Sequence, residues 1–350
     1  MAGAVLGRRR GDGVAADAAD RRRRGPGRLL LRRAGRQGGC AAGRVRRAAG
    51  VPAGGLPGVR LRRGRRPPLP LAEPGPAGRR RGRAPRVLVS GDPGCGAVAT
   101  VHLDAPPALV LSVPHGGTLV PTRCAEGLRV PPEQLWSDWR TAELLDLSAD
   151  LVVPAVVARL SRFVADPNRA PVEPLHGDFW STAVPARDPV GAPLYDRPLT
   201  AEELQYRLEL AHVPFHRALD RALAAALHRH PRVLLLDMHS FGLPLGVDVV
   251  LGDGGGSTAG RGASEQVERA FRQQGFTVAW NLRFTGGHIV RRWANDHRVD
   301  ALQVEVNQRL HLNSSDVEAA RPNPRPDAAG WLTTRRALAG VIGSLVRSVC

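Results

Sequence analysis

The 350-residue sequence contains no lysine, and aromatic residues make up only 4% of it. Arginine supplies all 50 basic side chains, and alanine, glycine and proline are abundant. This composition is more typical of coding bias in a GC-rich genome than of selection for charge. The formal charge of +18 does not by itself indicate nucleic-acid binding, and its distribution along the chain has to be considered.

Cysteine and long apolar runs are scarce too. The four cysteines (Cys40, Cys95, Cys124 and Cys350) are scattered and form no C-x-x-C pair, which excludes a cysteine zinc site and favours a reducing compartment. No apolar run approaches the roughly 20 residues that span a bilayer. The N-terminus also lacks the long apolar stretch of a secretory signal. We therefore expect a cytoplasmic protein without a membrane partner.

The basic charge is concentrated in residues 1–86, which hold 24 arginines and four acidic residues and carry +20. This segment has no aromatic residue, serine or threonine. It cannot bury enough apolar area to offset the entropy of ordering, so it predicts a disordered tail or a start codon placed too far upstream. By charge alone, an Arg/Gly-rich nucleic-acid-binding tail is an alternative, although we expect no nucleic-acid partner. The lack of serine argues against a transit peptide.

Residues 87–350 differ from the tail, since 26 arginines and 28 acidic residues leave a charge of −2. Short apolar runs such as "LVLSV", "LVVPAVVARL", "SRFVAD", "RVLLLDMHS" and "ALQVEV" alternate with segments of helical spacing, including "PEQLWSDWRTAELLDLSADL". This alternation predicts one α/β domain with a largely parallel sheet. Thr200 and Glu203 have the spacing of a capping box at the start of a helix, which Pro214 is expected to kink or divide.

Polar side chains follow or end four of the predicted strands: His115; Asp166, Asn168 and Arg169; Asp237 and His239; and Glu305. Each has an ordinary structural explanation by itself. A histidine at a strand end can simply be hydrogen-bonded, "DPNR" is a good turn, and Glu305 could be the outward residue of an alternating strand. Together they favour a site, because ligands of open α/β sheets bind beyond the carboxyl ends of the strands.

The chemistry that fits this set is metal-assisted hydrolysis. Two imidazoles and a carboxylate are a common catalytic zinc site that leaves a position for water. Zinc lowers the pKa of that water to about 7, and a nearby glutamate can carry its proton. An arginine beside the metal could bind a substrate carboxylate through two hydrogen bonds. The residues therefore predict hydrolysis of a small anionic amide or ester.

Six segments, in order, resemble the blocks of the N-formylglutamate amidohydrolase family over roughly residues 108–312. They are "SVPHGGTLVP" (112–121), "SDWRTAELLD" (137–146), "SRFVADPNRAP" (161–171), "LLLDMHSFG" (234–242), "RFTGGHIVRRW" (283–293) and "QVEVNQRLHL" (303–312). The resemblance implies a three-layer fold with a mostly parallel mixed sheet flanked by helices, as in zinc carboxypeptidases and aspartoacylases. It also implies hydrolysis of N-formyl-L-glutamate to formate and glutamate, in histidine breakdown.

The resemblance implies a single zinc ion bound by His115 and His239. Asp138 aligns with an aspartate of the family and is our choice of third ligand. Asp237 is the competitor for that position. It lies two residues before His239 on one strand, so it faces the same side and could instead orient the histidine.

The remaining roles concern the reaction and the substrate, a small anionic N-acyl amino acid. Glu305 would match the general base and acid that activates water. Asn168 and Arg169 would match the pair that holds the α-carboxylate. Arg291 could meet the second carboxylate that makes the substrate a glutamate derivative.

Three positions depart from the expected pattern. Arg140 stands where relatives often carry histidine, and His311 stands where a tyrosine often follows the "QxE" strand. A substrate contact at His311 would favour another N-acyl amino acid or a small peptide as substrate. Thr118 stands where the carboxypeptidase relatives place a glutamate ligand, so the third ligand must come from elsewhere.

Overall fold

A computed structural model describes residues 86–90, 96–102, 106–145 and 153–348, with only the backbone at 86–90 and 101–102. These residues belong to one compact unit that spans residues 78–350. The first described strand begins at Arg86, beside the predicted domain boundary. The predicted disordered tail lies outside the described residues.

The described residues form ten strands: β1 (Arg86–Ser90), β2 (Val98–His102), β3 (Leu109–Val113), β4 (Ala155–Ala158), β5 (His176–Gly177), β6 (Val184–Pro185), β7 (Val233–Phe241), β8 (Val249–Gly252), β9 (Val278–Trp280) and β10 (Val299–Asn307). Eight of them make one sheet in the order β1-β2-β4-β3-β7-β10-β8-β9. The central strands β4, β3, β7 and β10 are parallel, whereas β2 pairs antiparallel with β4 and β8 antiparallel with β10. The predicted mostly parallel mixed sheet is confirmed.

The helices are α1 (Thr122–Ala125), α2 (Thr141–Leu144), α3 (Ala201–Arg207), α4 (Val213–Leu227), α5 (Arg261–Gln273), α6 (His288–Arg292), α7 (Ser314–Glu318) and α8 (Ala328–Ser348). Short 3-10 turns occur at Pro132–Gln134 and Gln308–Leu310. The predicted capping box opens α3. The Thr200 hydroxyl accepts from the Glu203 amide, and the Glu203 carboxylate accepts from the Thr200 amide.

Pro214 lies at the point where the long helical segment divides, as predicted. Between α3 and α4, residues Leu208–His212 form a π-helical turn, and the Val213 amide donates to the Leu208 carbonyl five residues back. Proline has no amide hydrogen to continue the α-helical pattern, so the wider turn accommodates the lost bond. The backbone at Arg207, His212 and Val213 keeps right-handed helical angles.

Helices cover both faces of the sheet, which confirms the three-layer architecture. α4 buries Phe215, Leu219 and Leu223 in a cluster that includes Leu235 of β7. α5 and α8 pack in a second cluster that includes Leu234 and other residues of β3, β7 and β10. All nine residues of β7 are buried, as expected for a central strand with helices on both sides.

Two local predictions are wrong. The segment "PEQLWSDWRTAELL" is not one helix, because Arg140 has a left-handed φ of 58° that starts the short α2 at Thr141. "SRFVAD" is not a strand. The Ser161 hydroxyl accepts from the Phe163 amide and the Asp166 carboxylate from the Asn168 amide, and such local bonds favour turns over sheet pairing.

Candidate active site

Three neighbouring strands deliver the candidate site at their carboxyl ends. His115 follows β3 by two residues, His239 lies near the end of β7, and Glu305 of β10 is the register partner of His239. All three side chains are at least 95% buried. The position agrees with the prediction that ligands bind beyond the carboxyl ends of this sheet.

One atom from each of three side chains converges on a single point. His115 Nδ1 lies 3.0 Å from His239 Nδ1 and 3.4 Å from Asp138 Oδ2, and the third side, from His239 Nδ1 to Asp138 Oδ2, is 3.1 Å. All three residues are buried. Asp138 comes from the non-helical stretch before α2, where its Oδ2 also accepts from the Ser240 amide. The structure thus brings together the two predicted histidines and the chosen aspartate.

The triangle fits a tetrahedral metal ion. With zinc–ligand bonds of about 2.0–2.2 Å, two ligand atoms of a tetrahedral site are about 3.3–3.6 Å apart. The three observed separations of 3.0–3.4 Å are close to these values. Two ring nitrogens and a carboxylate oxygen are also a donor set that zinc accepts. These three residues could therefore hold a metal ion.

Carboxylates occupy the outer nitrogen of each histidine. Asp166 Oδ1 lies 2.7 Å from His115 Nε2, and Asp237 Oδ2 lies 2.9 Å from His239 Nε2. Ser112 of β3 in turn donates to Asp237 Oδ1 at 2.7 Å. Carboxylates of this kind orient metal-binding histidines and fix their tautomer. Asp237 thus faces the ring nitrogen opposite the triangle, while Asp138 lies within it.

Asn168 connects His239 to the neighbouring loop before α6. Its Nδ2 lies 3.2 Å from His239 Nε2 and 3.4 Å from Gln303 Oε1, and its Oδ1 accepts from the Ile289 amide. The loop approaches so closely that a Cβ on Gly287 would lie 2.3 Å from Asn168 Oδ1. Only glycine fits at that position without displacing the asparagine.

Glu305 is held by one of its two oxygens. Gln303 Nε2 donates to Glu305 Oε1 at 2.7 Å, and Gln303 Oε1 accepts from the Gly287 amide. Burial raises the pKa of Glu305 to about 8, with a further rise from the Asp138 charge that His239 opposes. A carboxyl group with such a pKa can exchange a proton near neutral pH.

Arg169 presents a cation beside these acidic groups. Its guanidinium NH1 donates to the Asn168 carbonyl, while its Nε is buried without a hydrogen-bond partner. Burial lowers the pKa of Arg169, and the charges of Asp166, Asp138 and Glu305 partly offset that effect. A buried donor without a partner costs about 1–3 kcal/mol, which an anionic ligand could recover.

The other singled-out residues lie outside this network. The exposed Arg291 on α6 donates to the Thr285 hydroxyl. The Arg140 side chain pairs with Glu143 at 2.8 Å. His311 is fully buried and packs against Trp331, with 5.9 Å between ring centroids, so it offers no exposed surface to a substrate.

Sequence reasoning missed two residues of the network. Arg162 pairs with Asp166 and lies 3.7 Å from Asp138 Oδ1, while Gln303 joins Asn168 and Glu305. Gln303 could have been found, because it precedes Glu305 by two residues on one strand and faces the same side. Arg162 lies in a turn, so no periodicity indicated its direction.

The site charges stabilise the ionised form of both central aspartates. Burial alone would raise the pKa of Asp138, but the charge of His115 and hydrogen bonds from both histidines lower it well below the usual range. Burial likewise opposes ionisation of Asp166, but the Arg162, His115 and Arg169 charges lower its pKa. The surrounding positive charges and hydrogen bonds therefore favour the ionised form of both aspartates.

Comparison with known proteins identifies the family. The sequence profile described as "N-formylglutamate amidohydrolase" matches residues 107–312. The chain belongs to the N-formylglutamate amidohydrolase family. Two curated relatives are named N-formylglutamate deformylase. The one from Pseudomonas putida is 29% identical over 59% of this chain and 83% of its own length, and the one from Pseudomonas aeruginosa is 28% identical over 59% and 82%. This protein is therefore a hydrolase.

One solved structure supports the same assignment, and a second supports the fold alone. The chain is similar to the N-formylglutamate amidohydrolase of Ralstonia eutropha, with a TM-score of 0.61, 27% identity and coverage of 72% of this chain and 98% of that one. A protein from Agrobacterium tumefaciens shares the fold, with a TM-score of 0.50, 20% identity and coverage of 70% and 96%.

In the described part of the chain, no helix is both long and apolar enough to cross a membrane.

Proposed function

We propose that this amidohydrolase is a zinc-dependent N-formyl-L-glutamate deformylase that releases formate and L-glutamate. The observation that supports this most strongly is the triangle of His115, Asp138 and His239 beside Glu305, in a chain of this family. The substrate is taken from the names of the two deformylase relatives. We further propose that the reaction belongs to histidine breakdown, as the family resemblance implies, and takes place in the cytoplasm.

The metal ligands in this proposal are His115 Nδ1, His239 Nδ1 and Asp138 Oδ2. Asp237 acts by orienting His239, which its position on the opposite ring nitrogen supports. Asp166 has the same relation to His115. When bound, a zinc ion would polarise the formyl carbonyl and lower the pKa of a water molecule.

Glu305 moves the proton in this scheme. Its free Oε2 takes a proton from the attacking water as the oxygen adds to the formyl carbon. It then returns that proton to the amide nitrogen as the carbon–nitrogen bond breaks, giving formate and the free amine of glutamate. The hydrogen bond from Gln303 to Oε1 fixes the carboxylate during both transfers.

Substrate binding is assigned to the two arginines and Asn168. The half-buried Arg169, with its unpartnered Nε, receives the α-carboxylate. Asn168 lies next to Arg169 in the chain, and its side chain is held by the Ile289 amide. It is therefore assigned to hold the α-carboxylate together with Arg169. Arg291, two residues beyond Ile289 on α6, receives the side-chain carboxylate.

The substitution Glu305→Gln tests the assigned chemistry. We expect the variant to keep the metal content of the wild type and to lose about 10²–10⁴-fold in formate release, because the amide cannot accept the proton. Metal content and formate release from N-formyl-L-glutamate are measured on the same samples. Glu318→Gln, an exposed glutamate on α7, is the control and should keep full activity. A Glu305→Gln enzyme as active as the wild type contradicts the role.

A further inference from the structure

A second histidine cluster lies on the other side of the Asn168 backbone. His212, in the π-helical turn, and His216, on α4, are four residues apart and share one face of the helix. With His288 of α6 they form a group in which one ring nitrogen of each residue lies within 4.8 Å of one in each of the others. The ring centroids are 4.5–5.9 Å apart.

The outer nitrogens of this cluster are occupied as they are in the first site. His212 Nε2 lies 3.0 Å from the Arg169 carbonyl, and His216 Nε2 lies 2.9 Å from the Pro167 carbonyl. These bonds fix the orientation of both rings, each through its Nε2 atom. His216 is 96% buried, and its Nδ1 has no hydrogen-bond partner. A buried ring nitrogen without a partner is costly unless something binds it.

We propose that His212, His216 and His288 form a second, separate site for a divalent transition metal, with Zn²⁺ as the ion. Three imidazoles suit zinc, copper or nickel, whereas Mg²⁺ and Ca²⁺ prefer oxygen donors. The half-buried His288 leaves an open side for a water ligand. Zinc–nitrogen bonds of about 2.0–2.1 Å require the three nitrogens to move closer together than their present limit of 4.8 Å.

The three rings are neutral, although burial and the nearby Arg292 both oppose a bound cation. Burial lowers the pKa of His216 to about 3 and that of His288 to about 4, so the rings are neutral and able to bind a metal at neutral pH. The nearby positive charge of Arg292 opposes a cation, but its guanidinium is paired with Asp220 at 2.9 Å.

The second ion would hold the segment that carries Asn168 and Arg169. His216 and His212 bind the carbonyls of Pro167 and Arg169, and the His288 amide donates to the carbonyl of Asn168 at 3.2 Å. Three consecutive carbonyls thus depend on the three residues of the cluster. An ion that joins the rings would fix this segment from behind, while the Asn168 side chain faces His239.

Counting metal ions tests the second site without using enzyme activity. Untagged wild-type protein and variants are stripped with a chelator, reloaded with Zn²⁺, desalted and analysed for zinc per chain. We expect two ions in the wild type, one in His216→Asn/His288→Asn and one in His115→Asn/Asp138→Asn. His228→Asn, which changes an exposed histidine at the end of α4, is the control and should keep two. Equal zinc in the wild type and in His216→Asn/His288→Asn overturns the proposal.

A second measurement remains decisive if the double variant fails to fold. In His288→Cys loaded with Co²⁺, a thiolate at this position should give a sulfur-to-cobalt charge-transfer band that the wild type lacks. The absence of that band in a protein that binds cobalt overturns the assignment of His288. Because neither measurement uses turnover, a protein with two ions and no deformylase activity would support this site and contradict the proposed function alone.

Discussion

At the scale of single residues, the candidate site depends on which ring nitrogen each histidine presents. Asp166 and Asp237 occupy the two Nε2 atoms, so both Nδ1 atoms face Asp138. Without those carboxylates each ring could rotate about its side-chain bonds, and the separations of 3.0–3.4 Å would not be maintained. Asp166 and Asp237 are thus needed to orient the two histidine rings toward Asp138.

The substitution Arg291→Gln tests whether Arg291 binds the side-chain carboxylate of the substrate. We expect Arg291→Gln to raise KM for N-formyl-L-glutamate about 10-fold or more, because a charge-assisted hydrogen bond to the side-chain carboxylate is lost. KM for N-formyl-L-alanine, which lacks that carboxylate, should not change. Steady-state kinetics with both substrates make the comparison.

Arg292→Gln is the matched control, because Arg292 follows Arg291 on α6 and is paired with Asp220 instead. The control should leave the ratio of the two KM values unchanged. If Arg291→Gln raises both KM values equally, or neither, the side-chain carboxylate is bound elsewhere.

Sequence patterns predicted which residues form the candidate site better than they predicted the hydrogen bonds and ion pairs between them. His115, His239 and Glu305 follow or end apolar runs, and strand order brings such positions together. The contact between Arg162 and Asp166 comes from a turn that was interpreted as a strand, so its direction could not be predicted. In irregular backbone, the spacing of two residues in the sequence does not determine whether their side chains face each other.

At the scale of secondary-structure elements, local side chains decide where the helices begin. The Thr200–Glu203 capping box satisfies amides at the start of α3, and the π-helical turn absorbs Pro214. Together they place His212 and His216 on the face toward the Pro167–Arg169 segment. The capping box and the π-helical turn therefore help to position two histidines that lie further along the helical segment.

Thr200→Ala tests the capping box. We expect the free energy of unfolding to fall by about 1 kcal/mol, because the Glu203 amide loses its acceptor at the helix start. Chemical denaturation checks the change, and formate release should be unaffected. Thr200→Ser, which keeps the hydroxyl, should retain most of the stability. Equal loss in both variants would mean that the methyl group, not the cap, stabilises α3.

The capping box was predictable because it depends on two residues three positions apart. The failure at "PEQLWSDWRTAELL" has a different cause, since apolar spacing was correct but the backbone at Arg140 is left-handed. That break lets Asp138 lie in an irregular stretch, where its carboxylate reaches both histidines. Tertiary contacts thus override local helical spacing where the site needs a ligand.

At the scale of the whole molecule, the chain combines a compact unit of residues 78–350 with an arginine-rich N-terminal segment. Every candidate site residue lies within the compact unit, on its strands and helices or in the segments that connect them. We therefore expect the basic charge of the first 86 residues to take no part in the proposed chemistry.

Removal of residues 1–77 tests that separation. We expect the shortened chain to release formate as fast as the full chain, because the whole compact unit is retained. Any binding of the full chain to duplex DNA should weaken steeply with added salt and disappear in the shortened chain, since arginines displace counterions from phosphates. Fluorescence anisotropy at several salt concentrations measures the binding. DNA binding that persists in the shortened chain would assign it to the α/β domain.

Removing and restoring the metal is the sharpest test of metal-dependent deformylation by this enzyme. Formate release from N-formyl-L-glutamate is measured on the full chain as purified with zinc, after chelation, and after zinc is restored. We expect formate release to be lost on chelation and recovered when zinc is restored. A folded, zinc-loaded enzyme that releases no formate, or one whose activity survives removal of all metal, would contradict it.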